Sequence, residues 1–166
     1  MPFTFYIQRM TQIAPLKILK ASAGSGKTFS LTLHYISLLL NNENSYKEIL
    51  AVTFTNKATA EMKERILSVL HGLALGDNKS SIESFRQILL QQNLQWSSAL
   101  IQQKAHRVYR RIIHDYSHFT ISTIDGFSQK VIRSFTYELN LDAGYKIEMN
   151  TNKVKADLTV MLNQLL

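Results

Sequence analysis

The stretch Leu16–Thr28, LKILKASAGSGKT, constrains this chain more than any other. It opens as an apolar run, Leu16-Lys17-Ile18-Leu19, which reads as a short buried strand. It then breaks into the small residues Ala21, Ser22, Ala23, Gly24, Ser25 and Gly26, and regular structure resumes at Lys27-Thr28. A helical segment follows, with Leu31, Tyr35, Leu38 and Leu39 on its apolar side. Strand, small-residue loop, Gly-Lys-Thr and helix in that order make a phosphate-binding loop. Small residues let successive backbone N–H groups curl into a nest around a polyphosphate, and the helix N-terminus adds partial positive charge. Lys27 then reaches the β- and γ-phosphates, and the Thr28 hydroxyl takes a place on Mg²⁺. Ala21 stands where the motif has its first glycine, a position that asks for a small residue more than for positive φ. The expected ligand is a nucleoside triphosphate, ATP with Mg²⁺.

Lys and Arg outnumber Asp and Glu by 19 to 12, a net charge of +7 over 166 residues. An excess of that size favours a polyanionic partner without identifying it. The length fits one domain with an ordinary hydrophobic core. The chain has no cysteine, which excludes disulfides and thiolate metal sites. It also has no apolar run of membrane-spanning length and no signal-peptide pattern. A cytoplasmic protein with no membrane partner is the expectation.

Residues 1–15 read as an N-terminal extension, with Met10 as a second potential start and Pro15 just before the loop strand. Glu48–Phe54 (EILAVTF) reads as a second strand that runs through Thr55-Asn56-Lys57 into a helix. On that helix Ala58, Met62, Ile66, Val69 and Leu73 form one apolar stripe. Lys79–Ser117 reads as helical throughout, with Ile101, Ala105, Val108, Ile112 and Tyr116 on one face. Lys104, Arg107 and Arg111 line another face, either a solvated basic surface or one that tracks phosphates. Trp96 reads as an anchor for this helical layer. Phe119–Ile124 (FTISTI) reads as a third strand, turned by Asp125-Gly126 into a helix with Phe127, Val131, Phe135 and Leu139 on one stripe. A short strand is expected over Tyr145–Met149. A last helix over Thr151–Leu166 carries Val154, Leu158 and Leu162 inside and ends without a cap, as if cut. His114 and His118 stand four apart without a third ligand, so no metal site is expected beyond Thr28 on Mg²⁺.

Three strand ends, after Leu19, after Phe54 and after Ile124, carry small, polar or basic residues. In open α/β sheets ligands sit outside the carboxyl ends of the strands. The wording of these ends resembles the first RecA-like domain of superfamily-one DNA helicases, the UvrD/Rep group and its RecB/AddA-like branch. Ala21–Thr28 (ASAGSGKT) is similar to that family's motif I, and Thr53–Arg65 (TFTNKATAEMKER) to its motif Ia. Ile121–Phe127 (ISTIDGF) resembles the next DNA-contacting motif, with Asp125 where the UvrD/Rep type has histidine, which suits the RecB/AddA side.

The resemblance implies an α/β P-loop NTPase domain of RecA-like type. It would have three layers, a parallel sheet and a helical insert over about residues 74–117. The domain would span 16–150, with 151–166 opening a following helical region. It further implies that Phe54, Thr55, Asn56 and Lys57 lie along single-stranded DNA, with Thr123, Asp125 and Phe127 continuing the track. The chemistry agrees, since a strand-end turn opening a helix offers N–H groups and Lys57 to phosphates. Phe54 and Phe127 each suit either burial or a base.

By the same resemblance the parent is an ATP-dependent DNA helicase or helicase–nuclease of repair or recombination, partnered by a second helicase–nuclease subunit. Such a motor needs an Asp-Glu pair to hold Mg²⁺ and orient water. No Asp-Glu dipeptide occurs in this sequence, so this chain alone is expected to be inactive. Two alternatives stand beside this reading. One is a small self-contained P-loop kinase, which leaves TFTNKATAEMKER unexplained. The other is a non-catalytic paralogue that binds nucleotide or DNA.

Overall fold

The computed structural model describes residues 26–135, 148 and 151–165. The strand expected to enter the phosphate loop and nearly all of the strand expected at Tyr145–Met149 lie outside them. Helix α1 spans Lys27–Asn41, and a 3-10 turn follows at Ser45–Lys47. Then come strand β1 (Ala51–Thr53) and helices α2 (Asn56–Leu75), α3 (Ser80–Gln92) and α4 (Ser98–His114). A second 3-10 turn at Tyr116–His118 leads to strand β2 (Ile121–Thr123) and helix α5 (Ile124–Ser134), and α6 spans Thr151–Leu165. The chain parts into two compact units, Met1–Phe127 and Ser128–Leu166.

In the first unit β1 and β2 pair in parallel, with Ala51 opposite Ile121, Val52 opposite Ser122 and Thr53 opposite Thr123. Parallel neighbours need a crossover, and α2, α3 and α4 supply it. The result is an α/β arrangement of a small parallel sheet and helices, as expected. Both strands are shorter than the sequence suggested. Glu48 belongs to the turn before β1, and Ile124 already begins α5.

The core gathers around α2. Met62, Ile66, Val69 and Leu73 of the expected stripe are buried, joined by Leu70. They meet Ile36, Leu39 and Leu40 of α1 and Ile101, Ala105, Val108 and Ile112 of α4, all essentially without solvent contact. Each such aliphatic side chain contributes about 1.5–3 kcal/mol when fully buried. Tyr35 stands edge-on to Phe119, with ring centroids 6.0 Å apart, and both rings are buried. Phe85 brings α3 onto Phe29 at 4.3 Å. Where α2 meets α3, a side chain on Gly72 would meet the terminal carbons of Ile82 at 2.7 and 2.8 Å. Glycine lets those helices approach.

The expected continuous helix from Lys79 to Ser117 is in fact two helices and a 3-10 turn. Asn93 closes α3, and Ser97 opens α4 by accepting the Leu100 N–H at 3.2 Å. Tyr116 falls past the end of α4 and is about half exposed, so it leaves the apolar stripe. Trp96 packs against the core at this break, as expected of an anchor. Helix α2 ends at Gly76, which adopts φ +69°. Its N–H reaches Leu73 O at 3.2 Å while the Asp77 N–H reaches Gly72 O at 2.9 Å, a paired closure that satisfies two terminal carbonyls.

In the second unit, Val131 and Phe135 are largely exposed. The Val154, Leu158 and Leu162 stripe of α6, expected inside, is exposed as well, at 37%, 53% and 61%. Helical spacing creates an apolar face but supplies no neighbour to cover it.

Candidate functional site

Of the phosphate-loop residues, Ala21, Ser22, Ala23, Gly24 and Ser25 lie outside the described residues, while Gly26, Lys27 and Thr28 lie within them. Gly26 adopts φ +76°, ψ 13° immediately before α1. That left-handed conformation costs an ordinary residue about 1–2 kcal/mol. Ser30 N–H then reaches Gly26 O at 2.9 Å. The N–H groups of a helix's first turn have no acceptor within the helix. In α1 no side chain caps them and no acidic residue stands among the first-turn positions. The Thr28 side chain is exposed, and its carbonyl accepts the Thr32 hydroxyl at 2.8 Å. A positively polarised helix end with Lys27 and an exposed hydroxyl on it suits a polyphosphate and its cation.

The second group of expected site residues follows β1. Thr53 Oγ1 donates to Thr55 O at 3.1 Å and shares a hydrogen with Thr59 Oγ1 at 2.7 Å. Thr55 Oγ1 accepts the Ala58 N–H at 3.1 Å and so caps α2. With the turn held by three threonines, the neighbouring side chains project outward. Phe54 is 55% exposed, which removes the core reading of that ring. The Lys57 side chain is 87% exposed and only 4.0 Å from Glu61, a loose pair in water. Asn56 is exposed beside it.

The third group follows β2 with the same device. Thr123 Oγ1 accepts the Gly126 N–H at 3.0 Å. A side chain on Gly126 would stand 3.1 Å from that oxygen, which makes glycine the residue that lets the threonine close in. The expected Asp125-Gly126 turn is therefore not a turn: both residues belong to the first turn of α5. Asp125 is exposed there, where a carboxylate is favoured by the helix dipole. Phe127 is partly buried.

Parallel pairing of Thr53 with Thr123 sets the second and third groups side by side at one edge of the sheet. Thr59 and Gly126, which build that edge with Thr53, escaped sequence reasoning as site residues. The Thr-x-x-Gly spacing at 123–126 was the available signal. Thr59 offered none, because its role depends on a turn seen only when folded.

The basic face of α4 is neither a bare solvated surface nor a free phosphate track at the three positions expected. Lys104 donates to Leu40 O at 2.8 Å and lies over the Trp96 ring at 4.6 Å. Arg107 meets Glu43 at 2.6 Å, and Arg111 reaches both Asn44 at 2.7 Å and Glu43 at 3.4 Å. All three tie α4 to the end of α1. Next to them Asp115 receives Lys47, His118 and Tyr46. Hydrogen bonds from Lys47, then His118, lower the Asp115 carboxyl to about 2. The same contact raises the Lys47 ammonium above its ordinary value.

The chain has relatives among known proteins. Residues 8–165 match the family model of the UvrD/REP helicase N-terminal domain. RecBCD enzyme subunit RecB of Buchnera aphidicola is 34% identical over 75% of this chain, an alignment that spans 11% of that protein. An ATP-dependent helicase/nuclease subunit of Bacillus cytotoxicus is 32% identical over 81% of the chain and 9% of its own length. The Moorella thermoacetica protein of the same name is 33% identical over 78% of the chain and 8% of its length. The chain thus spans about a tenth of the length of these relatives. No solved structure matches. With a phosphate-loop helix, two threonine-capped strand ends and a family match along nearly all its length, this chain belongs to the UvrD/Rep helicases, through their N-terminal domain and on the RecB/AddA side.

Proposed function

We propose that this chain is the ATP-binding front part of an ATP-dependent DNA helicase or helicase–nuclease that moves along single-stranded DNA in repair or recombination. The observation that carries the reading is the Thr53–Thr123 pairing, which gathers Phe54, Thr55, Asn56, Lys57, Thr123, Asp125 and Phe127 at one sheet edge. Lys57 and the α2 N-terminus meet phosphates, and Phe54 offers a base its face. Asp125 repels phosphate and instead accepts hydrogen bonds from base amino groups. The helical residues at about 74–117 are an insert in a domain spanning 16–150, and 151–166 open the next helical region. The relatives' names speak of subunits, which supports a companion subunit, and one speaks of an ATP-dependent helicase/nuclease, which supports the work on DNA; a cytoplasmic place belongs to the same reading. No helix among the described residues is long and apolar enough to cross a membrane.

ATP is held at residues 21–28. Lys27 and the first-turn N–H groups of α1 take the β- and γ-phosphates, and Thr28 holds Mg²⁺, whose charge offsets theirs. In phosphoryl transfer, positioning of water and stabilisation of charge across the γ-phosphate make up most of the catalysis. With no Asp-Glu dipeptide in the sequence, this chain binds ATP and turns it over negligibly, with or without single-stranded DNA. The test is calorimetric titration with Mg²⁺-ATP. Lys27→Ala removes charge-assisted contacts and lowers affinity by about tenfold to a hundredfold. Equal affinity in both proteins would sink the nucleotide assignment.

A further inference from the structure

Helix α4 carries a charged groove that the sheet-edge site does not include. His106, Arg110 and His114 recur at i, i+4 and i+8 and are all exposed. At the rise of an α-helix they form a straight row about 12 Å long. Arg107 and Arg111 run beside them, and Tyr46 and Asp115 complete the lining. The acids near this groove are already engaged. Glu43 divides one carboxylate between Arg107 and Arg111, and Asp115 is taken by Lys47, Tyr46 and His118. Arg110 has no acidic partner among the described residues, so the groove keeps a surplus of positive charge.

We propose that this groove binds the sugar–phosphate backbone of duplex DNA, at a surface separate from the single-strand edge. Its lining contains no aliphatic side chain, and its one aromatic ring besides the histidines, Tyr46, is buried. It therefore offers no apolar anchor of the kind that dominates protein–protein contacts. It also offers no open stacking platform of the kind that holds unpaired bases. What it does offer is a row of guanidinium and imidazole groups along one helix. Guanidinium matches phosphate geometry bidentately, and each strand of a duplex rises about 3.4 Å per phosphate along the helix axis. Because the strand also winds around that axis, a straight row of 12 Å meets about two neighbouring phosphates of one strand. The sheet edge differs in kind, with Phe54 open for stacking.

The inference rests on the DNA reading above for the class of ligand, and the experiment separates the two. Fluorescence anisotropy is read for a labelled blunt duplex and for a labelled single strand of mixed sequence, with the whole chain, across a salt series. Arg110→Ala should weaken duplex binding roughly three- to fivefold at low salt and flatten the log–log salt slope by about 0.9. It should leave single-strand binding as it was, while Lys57→Ala does the reverse, and Arg110→Lys should restore most of the slope. Unchanged duplex affinity and slope in Arg110→Ala, with an unchanged circular dichroism melt, would overturn the proposal. So would an equal loss for both DNAs, or polyglutamate bound as tightly as duplex with the same Arg110 dependence, which would point to an acidic protein segment. If Lys57→Ala left single-strand binding intact while Arg110→Ala still weakened the duplex, the sheet-edge reading would fall and this one would stand.

Discussion

Thr53 and Thr123 are register partners across the parallel strands, and each is hydrogen-bonded to the backbone just beyond its strand. Two segments 70 positions apart in the chain therefore end at the same height, and each helix opens on a threonine, Thr55 for α2 and Thr123 for α5. The consequence is a single ledge of exposed side chains rather than two separate loops.

If that ledge holds single-stranded DNA, its grip is electrostatic and stacking together. Lys57→Ala should flatten the log–log salt dependence of single-strand binding by about 0.7, the release expected for one phosphate contact. Phe54→Ala should weaken binding by about 1–3 kcal/mol with the slope unchanged. Anisotropy across a salt series separates the two, and a Phe54→Ala protein with altered slope but unaltered affinity would contradict the assignment.

The threonine caps are expected to carry stability as well as shape. Thr55→Ala removes the acceptor for Ala58 N–H and should cost about 1 kcal/mol. Urea unfolding read by circular dichroism measures this. Thr55→Ser keeps the oxygen and should recover most of the loss, an outcome that a purely steric role for Thr55 would not give.

Tyr35 presents the opposite case. Its ring is buried against Phe119, yet its hydroxyl has no hydrogen-bond partner among the described residues. Burial without a partner also raises its pKa far above the ordinary phenol value. Removing an unsatisfied hydroxyl while keeping the ring should leave stability unchanged or raise it by about 1 kcal/mol. A Tyr35→Phe protein that unfolds at clearly lower urea would reveal a partner for this hydroxyl.

Acid should loosen the joint between the end of α4 and the turn after α1. The Asp115 carboxyl is depressed to about 2 in the folded protein, below its unfolded value near 3.9. Its contribution is therefore fully present above about pH 4 and lost as pH falls toward 2. Lys47 runs the other way: its raised pKa gives a contribution present below the ordinary lysine value and lost in strong alkali. Carboxyl-detected NMR of Asp115 should show the low midpoint, and Asp115→Asn should flatten the acid limb of stability. A midpoint near 4 would exclude the arrangement.

How much of this was legible in the sequence depends on the range of the forces involved. The stripe of Met62, Ile66, Val69 and Leu73, and that of Ile101, Ala105, Val108 and Ile112, were readable because helical burial repeats locally. The phosphate-loop reading came from a local run as well, Ala21 to Thr28, of which Gly26, Lys27 and Thr28 lie among the described residues. The break between α3 and α4 had its signals in Asn93 and Ser97, obscured by strong helix formers on both sides. Ile124 read as strand because it is β-branched, but the Thr123 hydroxyl on Gly126 N–H starts the helix there. The fate of Lys104, Arg107 and Arg111 could not be read at all. Their partners Leu40, Glu43 and Asn44 lie more than sixty positions away, and charge alone does not say which acid will arrive.

Those three contacts have a mechanical meaning for α1. The helix carries Lys27 and Thr28 at one end, and at the other it is clamped to α4 through Leu40 O, Glu43 and Asn44. A rod fastened at its far end cannot slide along its own axis without dragging the clamp. Its middle is held as well, by Ile36 and Leu39 buried in the core. A load applied at the Lys27 end would therefore be felt in α4, at the Lys104–Leu40 contact.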